Sequence, residues 1–172
     1  MKKTRKTRQT RHHAFRALTM TASLAVLAVL FETPVSTHHS FAMYDQTKTV
    51  TLTGVVKQFV AQANHAELHF ILIAPDRKGL AKGADGKYVE WGVEMAGAAA
   101  VAQQGITATT FGAGTVFSVR LSPLRDGSNF GSRTGAIAKC PMDPASHKPR
   151  LPAADKDCDS VEGHTLLGGT TF

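Results

Sequence analysis

Several features that commonly indicate a catalytic function are missing from this chain of 172 residues. No serine lies in a nucleophile elbow, and no glycine-rich phosphate loop precedes a helix, since Gly112–Gly114 leads into a predicted strand. The only two cysteines, Cys140 and Cys158, are expected to be bonded to each other and therefore unable to act as nucleophiles. We find no other candidate nucleophile or acid–base pair, so we expect a binding protein and not an enzyme.

A hydrophobic run long enough to cross a membrane is also lacking. The apolar, uncharged stretch Ala17–Phe31 has 15 residues, whereas a membrane-spanning helix needs about 20. It follows a basic segment and precedes Pro34, which is the pattern of a secretory signal peptide. We therefore predict that residues 1–37 are a signal peptide, that the protein is periplasmic, and that no membrane span is left after its removal. An uncleaved anchor is the alternative.

The cleavage position has two candidates. Cleavage after Thr37 would make His38 the first residue, and cleavage after Ala42 would make Met43 the first and discard His38 and His39. Small residues are preferred before the cut, and Ala42 satisfies that preference better than Thr37.

Acidic residues are nearly absent from the predicted signal peptide, so its basic residues account for most of the net charge of +7. Seven of the 20 basic residues precede Ala17, and Glu32 is the only acid before His38. The remainder carries 13 basic and 12 acidic residues and is almost neutral. A phosphate-binding surface is not expected on a mature region that is almost neutral, so we exclude nucleic acid as a partner.

Alternating apolar and polar residues predict strands in the body of the chain. An alanine-rich segment ending at Gly105 predicts one short helix between the third and fourth strands. This order predicts a mainly β fold, an OB-like five-stranded barrel, with a small open β-sandwich as the alternative. Gly54 within the first strand indicates a bulge or sharp bend. The predicted strands, in chain order, are 49–60, 66–74, 88–95, 115–123 and 134–140, with a further one within 161–168.

The two cysteines predict one disulfide, because an even count in an oxidising compartment is typical of a bridge. A zinc site would need more ligands at closer spacing than Cys140 and Cys158 offer. We accordingly divide the mature chain into an OB-like domain, residues 38–139, and a cysteine-tethered loop with a C-terminal extension, residues 140–172.

The opening of the predicted mature region, His38-His39-Ser40-Phe41-Ala42-Met43 followed by Tyr44-Asp45, resembles a family of small exported bacterial proteins classed only as a domain of unknown function. The resemblance covers roughly residues 37–131. It implies export, a compact β domain and cleavage just before the histidine pair, but it implies no biochemical activity. The chain departs from the family pattern after the first strand, where Ala61 replaces an aromatic residue and Ala63-Asn64-His65 replaces Asn-Pro-His.

Histidines supply the candidate metal ligands. If His38 is the first residue, its α-amino group and imidazole can chelate one ion, with His39 or His65 adding a further nitrogen. His65, Glu67 and His69 alternate along a predicted strand and share one face, a donor set that suits copper or zinc. The alternatives are an ordinary mobile terminus and a solvated strand face.

A second hypothesis is a non-metal binding module for an oligosaccharide, a peptide or a cell-envelope partner, as OB-folds use the face of strands two and three. Tyr88, Trp91, Glu94 and Arg125 are the candidates for this ligand face. We also expect Arg125 to pair with Glu94 or with Asp45.

Overall fold

The structure is a computed structural model that describes residues 40–169. The predicted signal peptide, both histidines of the pair and the last three residues lie outside this range. Within residues 40–169, no helix has the length and apolar character needed to cross a membrane.

The alternating pattern folds into the predicted small barrel. A 3₁₀ turn, Ser40–Met43, precedes the first strand, and the short helix lies between the third and fourth strands, as expected. The elements are β1 (Val50–Val60), β2 (Glu67–Leu72), β3 (Glu90–Glu94), α1 (Ala98–Gln103), β4 (Val116–Pro123), β5 (Phe130–Lys139) and β6 (Thr165–Leu167).

The strand order is β3-β2-β1-β4-β5-β6, and β3 also pairs with β5. The β3–β5 pairing is parallel, while the other pairings are antiparallel. The first five strands therefore close into a barrel, with β6 bonded outside it. This arrangement confirms the predicted OB-like fold.

Period-two alternation places the large apolar side chains inside the barrel. The aromatic rings of Phe70 and Phe111 each meet Phe117 edge-on, with centroid distances of 5.1 and 5.7 Å. Helix α1 contributes Val101 to this core, and Gly105, at φ 79°, ends the helix as the sequence predicts. The buried core residues are Val56, Ala66, Leu68, Phe70, Val93, Met95, Val101, Ile106, Phe111, Phe117, Val119, Leu121 and Ile137.

Strand β5 begins earlier than predicted. Residues 130–132 lie outside the predicted strands, because they follow the turn-forming sequence Asp-Gly-Ser-Asn, but they are paired on both sides. Gly131 lies opposite Val93 of β3 and Pro123 of β4. These residues close the barrel, and their strand character depends on distant partners that local composition does not reveal.

The bulge predicted at Gly54 is displaced. Gly54 pairs regularly with Leu72 on β2 and Phe117 on β4, and the register shift in β1 occurs at Lys57. The ring of Phe70 lies where a Cβ of Gly54 would be, so close approach of the neighbouring strand is what requires glycine here.

The C-terminal extension packs against the outside of β1, β4 and β5. The predicted disulfide between Cys140 and Cys158 is present and lies in a second buried cluster with Ile73, Val116 and Ala138. Hydrogen bonds support this contact. Ser118 Oγ lies 2.7 Å from Thr53 Oγ1 and accepts a bond of 2.9 Å from the backbone N–H of Cys158. The extension therefore covers a sheet face that would otherwise be exposed.

Candidate functional site

Strand β2 presents its polar residues on the outer surface of the barrel. Leu68 and Phe70 are fully buried inside, so Glu67 and His69 point outward. Their side chains meet, with His69 Nε2 2.8 Å from Glu67 Oε2. Glu67 and His69 therefore share one face of β2, whereas His65, the third residue of the predicted set, precedes the strand.

The register of β2 and β3 adds a second carboxylate that the metal hypothesis did not include. Glu94 lies directly opposite Glu67, and its Oε1 is 3.3 Å from Nδ1 of His65. Two carboxylates therefore stand side by side on neighbouring strands, and each has an imidazole next to it. Like charges directly opposite one another destabilise a sheet, so this pair depends on compensating positive charge or hydrogen-bond donors. We call His65, Glu67, His69 and Glu94 the imidazole–carboxylate cluster.

Tyr44 lies against this cluster and is 1% exposed. Burial is the main reason that the pKa of its phenol is raised well above the ordinary value, followed by the charge of Glu94, a hydrogen bond to it and the charge of Glu67. The phenol is therefore neutral and lies beside the carboxylate of Glu94. Sequence analysis missed Tyr44 as a site residue, although the aromatic–Asp pair of the opening motif drew attention to the position.

The segment that carries Tyr44 is held on the barrel by backbone hydrogen bonds. The N–H of Asp45 donates to the Pro123 carbonyl at 2.8 Å, and the N–H of Arg125 donates to the Met43 carbonyl at 2.9 Å. Arg125 Nε also donates to the Ala42 carbonyl at 3.2 Å. These bonds hold residues 42–45 alongside residues 123–125, at the end of β4.

The expected ion pairs of Arg125 are not formed. Asp45 pairs with Lys48 at 3.1 Å, and Glu94 pairs with His65. The guanidinium of Arg125 instead binds the turn at Ala42. Its role in this structure is to hold the N-terminal segment against the end of β4.

The candidate metal ligands are only partly brought together. His65 and His69 each have their own carboxylate partner, and His38 and His39 lie outside the described residues. Within residues 40–169, no group of three or more histidine, cysteine, aspartate or glutamate side chains has the spacing of a metal site. The cluster offers two imidazole–carboxylate pairs on one face and needs further donors to form a complete site.

The residues of the predicted ligand face do not form one surface. Trp91 lies opposite Phe70 and packs against the core, whereas Glu94, three residues further on, points outward. Tyr88 precedes β3, is half exposed, and has Lys82 Nζ 5.4 Å from its ring centroid. An aromatic platform that combines these side chains is therefore not present on the barrel.

A family model described as "Family of unknown function (DUF6152)" matches residues 24–133. The chain belongs to this family. No curated protein and no solved structure matches the chain. The DUF6152 match includes Tyr44 and all four residues of the cluster, and it ends within β5, before Cys140. The disulfide-tethered extension therefore lies outside the matched region.

Proposed function

We propose that this DUF6152 protein is an exported periplasmic binding protein, without catalytic activity, that holds one copper or zinc ion on the outer face of its barrel. The juxtaposition of Glu67 and Glu94, each beside an imidazole, is the observation that carries the proposal. Imidazole nitrogen and carboxylate oxygen are ligands for both metals. A divalent cation would also relieve the repulsion between the two carboxylates.

The missing donors come from the mature N-terminus in this proposal. Removal of residues 1–37 would leave the α-amino group and imidazole of His38 free to chelate, followed at once by His39. Tyr44 lies against Glu94 six residues after His38. Six residues span at most about 20 Å when extended, so the histidine pair is tethered within reach of the cluster.

The turn Ser40–Met43 favours the cut before His38. Ala42 accepts a hydrogen bond from Arg125, and Met43 accepts one from the backbone of the same residue. Cleavage before Met43 would discard Ala42 and the rest of the turn. Cleavage before His38 keeps the turn and both histidines.

The first measurement is the intact mass of the protein recovered from the periplasm. We expect a chain that begins at His38. A chain that begins at Met43 would eliminate the histidine pair, and a full-length chain recovered from the cytoplasm would contradict export altogether.

The second measurement is titration of that material with Cu(II) and with Zn(II), followed by calorimetry and, for copper, by electron paramagnetic resonance. We expect one ion per chain with nitrogen ligation. His65→Ala should weaken binding by about tenfold or more, because even the loss of an outer partner of a metal ligand costs about 10–100-fold. His147→Asn is the matched control, since His147 is exposed, lies in the extension and has a φ of 53° that asparagine tolerates.

Two outcomes would overturn the metal proposal. One is the lack of binding at micromolar concentrations of either metal. The other is binding that His65→Ala and His147→Asn affect equally, which would place the ion away from the cluster. Glu94→Gln, which keeps the size of the side chain and removes its charge, tests the carboxylate in the same way.

A further inference from the structure

A cleft of about 340 Å³ opens beside Tyr44, between the start of β1, the end of β4 and the first half of β5. Its volume is at the lower end of the range for small-ligand pockets. The residues that line it include Tyr44, Gln46, Thr49, Ser122, Ser132 and Thr134.

The lining is rich in hydroxyl groups. Four of these six residues are serine or threonine, a fifth is tyrosine and the sixth is an amide, and residues 40–169 contribute no carboxylate or aliphatic side chain to the lining. A hydroxyl group donates one hydrogen bond and accepts others, and a carboxamide does both. Such a surface matches a ligand that itself carries several hydroxyl groups.

One lining hydroxyl is buried without a partner. Thr134 Oγ1 has no hydrogen-bond partner among the described residues, although it is shielded from solvent. A buried hydroxyl without a partner is destabilising. Folding does not satisfy this group, and because Thr134 itself lines the cleft, rotation about its χ1 can turn the hydroxyl toward a bound molecule.

A local irregularity in β5 explains the position of Thr134. Arg133 is opposite Leu121 and Ile137 is opposite Val119, so the three residues between them face a single residue of β4. Gly135 within this segment has a φ of 80°. The extra residues form a bulge, which removes Thr134 from the regular ladder and aims it away from a strand partner.

Charges of both signs lie beside the cleft. Arg133 also lines it; Nη2 of its guanidinium donates to Gln104 Oε1 at 2.7 Å, whereas Nη1 is buried without a hydrogen-bond partner among the described residues. On another wall, Tyr44 is backed by the carboxylate of Glu94. The guanidinium and the carboxylate offset one another, so the cleft has no net charge that would select an anion or a cation, and a neutral polyol is not repelled.

We propose that this cleft binds a neutral polyhydroxylated molecule about the size of one sugar ring, with Thr134, Ser132 and Ser122 as hydrogen-bonding groups and Tyr44 as one wall. This site is separate from the proposed metal site and does not depend on it. Tyr44 lines the cleft and also lies beside Glu94 of the cluster.

The test is NMR titration of the metal-free protein, in the presence of a chelator, with glucose, galactose and N-acetylglucosamine, and separately with phosphate and acetate. We expect at least one sugar to shift the amides of Ser132 and Thr134 in a saturable manner. Thr134→Val keeps the shape of the side chain and removes the hydroxyl, and it should weaken binding by about 3- to 10-fold, as loss of one hydrogen bond does. Thr165→Val, at an exposed position on β6, is the control and should leave binding unchanged.

Saturation by phosphate or acetate in place of the sugars would show that the cleft is an anion site and would overturn the proposal. So would the lack of any shift at tens of millimolar sugar. Ser132→Ala serves as a second variant if Thr134→Val disturbs the bulge. Because chelator is present throughout, failure of sugar binding has no bearing on the metal site, and failure of metal binding has none on the cleft.

Discussion

Replacing Gly54 with alanine is expected to destabilise the barrel, although alanine is normally well tolerated in place of a strand glycine. A Cβ at this position would overlap Cδ2 of Phe70 and lie 2.8 Å from the carbonyl oxygen of Ile71. Neither atom can move away easily. Phe70 is fully buried and in edge contact with Phe117, and the Ile71 carbonyl belongs to the backbone of β2. Overpacking of this kind costs about 1–3 kcal/mol.

Gly79→Ala is the matched control for the effect of glycine on the unfolded chain. Neither glycine has a positive φ, so alanine is allowed at both, and a Cβ at Gly79 would meet nothing within 4 Å. Each substitution lowers the entropy of the unfolded chain and so stabilises by about 0.4–1 kcal/mol. We therefore expect Gly79→Ala to be neutral or slightly stabilising. The difference between the two variants isolates the steric cost at Gly54.

Urea unfolding followed by tryptophan fluorescence measures both variants, because Trp91 is the only tryptophan and packs against the core. A second comparison combines Gly54→Ala with Phe70→Leu, which removes the ring from the contact. The combined loss should be smaller than the sum of the two single losses. Equal unfolding free energies for Gly54→Ala and Gly79→Ala, or full additivity with Phe70→Leu, would refute the close-packing explanation.

Three further predictions follow from the contacts described above. Replacing both Cys140 and Cys158 with alanine should lower the unfolding free energy by about 3 kcal/mol, since the bridge closes a loop with a sequence separation of 18; a loss below about 1 kcal/mol in denaturant unfolding would contradict this. Ser118→Ala should cost about 1–3 kcal/mol in the same assay, because the N–H of Cys158 loses its acceptor. The pKa of Asp45 is held at about 2, chiefly by the hydroxyl of Thr47. Its stabilising contribution should therefore be complete above the ordinary pKa of about 3.9 and be lost as the pH falls toward 2; an NMR titration of the Thr47 amide with a midpoint near 4 would argue against this.

Local patterns in the sequence were sufficient for much of the fold. Alternation assigned the inner and outer faces of β2, and the glycine after the alanine-rich segment predicted the end of α1. The pair of cysteines predicted the disulfide, because only one pairing was possible. The first two inferences depend on residues that are close together in the sequence. The disulfide follows because two cysteines can pair in only one way.

The features that were missed depend on distant partners. Phe130–Ser132 have the composition of a turn and become strand because β3 and β4 pair with them on either side. A glycine within a strand is typical of a bulge or bend, but at Gly54 glycine is needed because the ring of Phe70 on the next strand occupies the place of a side chain. Composition along a segment cannot report which strand will lie beside it, and both errors arise for this reason.

The imidazole–carboxylate cluster combines both kinds of information, and this explains why three of its four members were predicted as metal ligands and Glu94 was not. The spacing of Glu67 and His69 is local, but the position of Glu94 opposite Glu67 follows from the β2–β3 register. That register is set inside the barrel, where Leu68 is opposite Val93 and both are fully buried. A slip of one residue would turn these apolar side chains outward and Glu94 inward. The apolar core therefore positions the two outer carboxylates, and a variant that loosens the Leu68–Val93 contact should disturb the cluster without touching any of its members.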